Sequence, residues 1–118
     1  MHNKIPSYIR THRRRWGLTQ KELARLLGAK SGTQVSRYER LQRKPTLDTA
    51  FACQVIFGEM PHALLPKLFS EVEEGVMRQA YQLYHSLDGS TSKTERRKRE
   101  LLSSMLNRAI VRSNDHAV

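Results

Sequence analysis

Residues 18–45, LTQKELARLLGAKSGTQVSRYERLQRKP, hold two helix starts separated by one helix stop. Thr19 stands three residues before Glu22, and Ser31 three before Gln34. Each pair fits the capping box, where a hydroxyl and an acid or amide side chain satisfy the free N–H groups of a first helical turn. Gly28 lies between them and can take the left-handed conformation that ends a helix without steric cost. Two short helices, 20–27 and 32–40, are therefore predicted on either side of a very small hinge. The first presents Leu23, Ala24, Leu26 and Leu27. The second has only Val35 and Tyr38, among Gly32, Thr33, Gln34, Ser36, Arg37, Glu39 and Arg40. So narrow an apolar stripe docks a helix by one edge and leaves small polar residues and arginines outside the core.

The same signals recur along the chain. Ser70 with Glu73 and Ser92 with Glu95 repeat the box, and Pro45-Thr46 and Met60-Pro61 mark further starts. Gly17, Gly58 and Asp88-Gly89 supply stops. No stretch alternates apolar and polar residues between hairpin turns. The expectation is an all-α chain with helices over about 5–16, 20–27, 32–40, 47–57, 61–68, 71–87 and 93–112. The segment DGSTS (88–92) reads as a flexible connection, and a second boundary falls near Leu68–Ser70. Residues 1–68 would then form one domain and residues 69–118 a helical extension.

Charge is distributed unevenly. The chain carries a net +10 over 118 residues. Residues 1–60 hold +8, residues 61–92 hold −2, and residues 93–118 hold +4. A basic block at one end suits a polyanionic partner, nucleic acid above all. The cations Lys21, Arg25, Lys30, Arg37, Arg40, Arg43 and Lys44 all surround the sparse second helix. A helix of that kind fits the DNA major groove, whose floor offers donors and acceptors to small polar side chains and arginine. No apolar run is long enough to span a membrane, and no apolar segment resembles a secretory signal at the N-terminus. The single cysteine, Cys53, excludes an internal disulfide and offers no thiolate cluster. A cytoplasmic setting, no membrane contact, no metal and no cofactor are expected.

With these residues in view, the stretch resembles the phage-repressor/Cro helix-turn-helix family, also called the XRE family. The resemblance rests on Gly17-Leu18-Thr19-Gln20, Glu22-Leu23-Ala24, Leu27-Gly28 and Val35-Ser36-Arg37-Tyr38-Glu39, and covers about residues 5–68. It implies a five-helix DNA-binding domain followed here by two further helices. It implies base contacts from Thr33, Gln34, Ser36 and Arg37. Gln20, Lys21, Lys30, Ser31, Arg40, Arg43 and Lys44 would contact phosphates. Arg13 would pair with Glu39 as a structural link between the first and third helices. Three departures stand out. The turn GAKSG is one residue longer than is usual, Gly32 replaces a side chain that often contacts a base, and His12 replaces a leucine and reads as a packed residue.

The second half carries long apolar stripes. Val72, Val76, Ala80, Leu83 and Leu87 follow spacings of three or four, and so do Leu102, Met105, Leu106, Ala109 and Ile110. Val76, Ala80, Leu83, Leu87, Leu102, Leu106 and Ile110 are therefore the expected homodimer contacts. A two-fold dimer would read an inverted repeat. The leading expectation is a sequence-specific regulator of transcription, a repressor, on double-stranded DNA. The alternative is an antitoxin that represses its own operon and uses the same stripes to hold a toxin. A single-strand or RNA binder needs aromatic stacking platforms, and the aromatics here fall mostly on core-facing positions. Nothing orders a catalytic triad or a phosphate-binding loop, so no enzymatic activity is expected.

Overall fold

The computed structural model describes residues 5–87, 89 and 92–115 and forms seven helices, with no strand among those residues. In chain order they are α1 (Ile9–Arg15), α2 (Gln20–Leu27), α3 (Gly32–Glu39), α4 (Leu47–Phe57), α5 (Pro61–Leu64), α6 (Pro66–Ser86) and α7 (Lys93–Asp115). The chain divides into two compact units between Glu71 and Val72. Among the described residues no helix is long and apolar enough to cross a membrane.

The helix ends of the first unit are closed by local chemistry. Thr19 Oγ1 accepts from the Glu22 N–H at 3.0 Å, and Glu22 Oε1 accepts from the Thr19 N–H at 2.9 Å, which completes a capping box on α2. Hydrogen bonds from the Thr19 backbone and hydroxyl hold the Glu22 carboxyl below its ordinary value. At Gly17 and Gly28 φ is +73° and +69°. After each glycine the chain closes back on the helix, with the Leu18 N–H donating to Arg13 C=O at 3.0 Å and the Ala29 N–H to Ala24 C=O at 2.8 Å.

Three sequence expectations are corrected. Ser31 makes no side-chain cap on α3. Gln34 instead turns its amide to the Lys30 N–H at 3.4 Å and to the Tyr38 hydroxyl at 2.9 Å. A buried hydroxyl that needs a partner thus outcompetes the reciprocal box. The helix expected over 61–68 ends at Leu64, and α6 runs through Ser70 without interruption. Pro66 explains the position of the break. Its ring disfavours helical geometry at Leu65 (φ −129°, ψ 61°), and its missing N–H is harmless at a first helical position. The start expected near residue 5 moves to Ile9, where Ser7 Oγ accepts from the Ile9 N–H at 3.1 Å.

Ile9, Leu23, Ala24, Val35, Tyr38, Cys53, Leu64 and Leu65 form the core of the first unit. His12 is half-buried, with its ring 5.5 Å from that of Phe57. Burial pushes the Cys53 thiol up to about 11, so it stays protonated as a small apolar group. In the second unit the Glu73–Arg112 ion pair joins an early turn of α6 to a late turn of α7, so the two helices run antiparallel. Ala80 and Leu102 are its buried apolar residues among those described.

Candidate nucleic-acid interface

The α3 helix is held from one side. Val35 is fully buried, and Tyr38 and Glu39 are nearly so. Thr33 and Arg37 are exposed, and Gln34 and Ser36 are half-buried between the two faces. Thr33, Ser36 and Arg37 therefore line an edge that the core does not use. Arg40, one turn beyond Ser36, donates from Nη2 to the Ser36 hydroxyl at 2.8 Å, which orders both side chains on that edge.

A buried polar cluster fixes where α3 sits. Arg13 on α1 donates from Nε to Glu39 Oε2 at 2.6 Å and from Nη2 to Oε1 at 3.4 Å. Its third nitrogen, Nη1, donates to the Leu18 carbonyl at 2.8 Å. Gln20 at the start of α2 donates from Nε2 to the same Glu39 Oε1 at 3.1 Å. The carboxylate of α3 is thus bonded from two other helices and is 2% exposed. Removing one member of such a pair leaves a buried charge without compensation. Gln20 was expected to touch a phosphate. One of its two amide hydrogens is bound inward to Glu39.

Gly32 has a reason that the sequence did not disclose. A Cβ at this position would lie 3.3 Å from the Lys21 backbone nitrogen and 3.4 Å from the Gln20 carbonyl carbon. The glycine faces the start of α2, where it permits close approach of the two helix starts, rather than an open surface. The end of α3 is also unannounced in the sequence. Leu41 takes φ +54°, with the Gln42 N–H donating to Arg37 C=O at 2.8 Å. A branched residue in the left-handed region is strained. The turn it makes ends α3 just before Arg43 and Lys44.

Lys21, Lys30, Ser31, Arg40, Arg43 and Lys44 are exposed, and Gln20 is half-buried. Arg14, Arg15 and Arg25 are exposed as well. In the second unit the expected contact set divides. Ala80 and Leu102 are buried and Leu87 is half-buried, whereas Val76, Leu83, Leu106 and Ile110 are close to half exposed. The first two belong to the unit's own interior. An apolar face absent from the sequence reading appears on α4, where Leu47, Phe51 and Val55 are 66%, 51% and 84% exposed. Their regular spacing of four was the available signal.

The geometry of α2, the tight turn and a shallowly docked α3 agrees with the comparison to known families. Residues 9–64 match the family model described as helix-turn-helix. No curated protein and no solved structure matches the chain significantly. Residues 9–64 therefore belong to the helix-turn-helix family of the phage-repressor/Cro-like type, the fold of DNA-binding transcription regulators.

Proposed function

We propose that the protein represses transcription by binding a specific double-stranded DNA sequence, as a cytoplasmic homodimer on an inverted repeat. The observation that carries this reading is the division of α3: Val35, Tyr38 and Glu39 are buried, while the Thr33, Ser36 and Arg37 edge stays outside the core. Thr33, Ser36 and Arg37 read base edges. Arg37 supplies the bidentate contact to guanine, worth about 1–3 kcal/mol of discrimination. Gln34 spends one amide hydrogen on Tyr38 and offers the other to a base edge. Lys21, Lys30, Ser31, Arg40, Arg43, Lys44 and the outward amide hydrogen of Gln20 bind phosphates. The half-exposed Val76, Leu83, Leu106 and Ile110 provide the surface on which a second copy packs.

Selection of bound duplexes from a random pool tests the reading as a whole. Recovered sites are expected to be two-fold symmetric, with half-sites about one helical turn apart or a multiple of it. Arg37→Ala should weaken the selected duplex about tenfold or more and random duplex little. Equal loss on both would reduce Arg37 to a phosphate contact. Recovery of an unrelated chain on α6 and α7, in place of a second copy, would turn the reading to an antitoxin.

A further inference from the structure

The start of α7 contradicts the electrostatics of its own helix. Lys93, Arg96, Arg97, Lys98 and Arg99 occupy its first two turns, with Glu95 and Glu100 as the only acids there. The positive end of the helix dipole lies at this terminus, where acids stabilise and cations destabilise. A charge pattern chosen for folding alone would run the other way. Local rules are broken in this manner where a surface serves a partner. Within the second unit the excess is also confined to this helix. The antiparallel α6 carries three acids against two cations, so the basic face is not a general coating for solubility.

The face continues as a row of hydrogen-bond donors. Lys93, Arg96 and Arg97 are exposed, and Ser103, Ser104 and Asn107 follow one to three turns later on the same side. Arg96, Arg99, Glu100, Ser103, Ser104 and Asn107 line a shallow groove that is largely open to solvent. Guanidinium, hydroxyl and amide groups are the side chains that bind DNA phosphates. Arginine rather than lysine borders this groove, which suits bidentate phosphate contact.

We infer that this face of α7 is a second, sequence-independent contact for duplex DNA, made to phosphates outside the segment read by α3. The inference rests on the DNA-binding reading above and adds a surface to it. Charge complementarity selects the occupant: the domain in the same chain holds a polyanion, and this is the basic face outside that domain. Each phosphate so bound releases counterions and steepens the salt dependence of binding.

The test uses the full chain and random-sequence duplexes of about 12 and about 40 base pairs, titrated across a range of salt. Replacing Lys93, Arg96 and Arg97 by Gln should weaken binding to the long duplex about tenfold and lower the log–log salt slope by about 2 to 3. Binding to the short duplex should change little. The matching variant with Arg96→Lys and Arg97→Lys should keep the wild-type slope. Glu100→Gln should tighten binding to the long duplex a few-fold, because it removes the acid in the middle of the face. An unchanged slope and affinity in the Gln variant, with wild type still binding, would overturn the α7 contact and leave the α3 reading intact. Failure of the wild-type chain to bind either duplex at low salt would overturn both.

Discussion

The two units of the molecule are built on different principles. The first joins short helices through a shared interior: α1, α2, α3, α4 and α5 all contribute to one cluster, and a buried carboxylate is bonded from two neighbouring helices. The second consists of long helices that bury little. Its ion pair between helices, Glu73–Arg112, has side chains 28% and 35% exposed, and Leu83, Leu101, Leu106 and Ile110 lie about half open. Short helices are marginal alone and depend on packing, so a unit made from them must close its core to exist. Long helices tolerate open apolar faces and leave them for something else. The comparison separates a unit whose surface is shaped by its own interior from one whose surface is unfinished.

Breaking the buried link should give the largest effect. Arg13→Ala leaves Glu39 charged and enclosed, and should destabilise the protein by about 3–5 kcal/mol in urea unfolding. The corresponding change in the second unit, Glu73→Gln, should cost about 1 kcal/mol or less, since that pair is partly solvated. Equal costs would erase the distinction between the units. Next in size is core truncation. Leu23→Ala, at a fully buried position, should cost about 2–5 kcal/mol whatever the protein concentration.

Leu106→Ala sharpens the contrast in another way. For an isolated chain its cost should be within about 1 kcal/mol, because half of the side chain is already in water. If a second copy covers this face, the loss appears instead as weaker self-association in sedimentation equilibrium. An effect of comparable size concerns the α2 cap. Thr19→Ala should cost about 1 kcal/mol. The Glu22 carboxyl is lowered in the folded state, so its contribution is present above its ordinary value of 4.5 and is lost as pH falls through the lower folded value. Glu22→Gln should therefore flatten the acid limb of the stability profile; an unaltered limb would show that the cap carries no such linkage.

Much of the first unit was legible because its signals are local. A capping box, a left-handed glycine and a proline act within about four residues, so Thr19, Gly28, Gly58 and Pro61 mark helix ends wherever they occur. The break at Leu65 was misplaced for an equally local reason, because Ser70 and Glu73 offered a competing box four residues beyond Pro66. At the interface, the exposed and buried edges of α3 followed from its apolar spacing. The inward bond of Gln20, the Tyr38 partner of Gln34 and the close approach at Gly32 did not.

By itself the sequence determined the helices and their apolar stripes, and it placed the basic residues around α3. These depend on spacing along one chain and on the preferences of single residues. Only the tertiary structure decided which side chains became partners across helices. It turned Gln34 toward a buried hydroxyl and Gly32 toward a neighbouring backbone, and it put Leu41 into a strained turn. It also settled that Ala80 and Leu102 are interior while Val76 and Ile110 remain half open. The physical reason is that burial and hydrogen-bond competition are set by groups distant in sequence, and periodicity carries no record of which distant group wins.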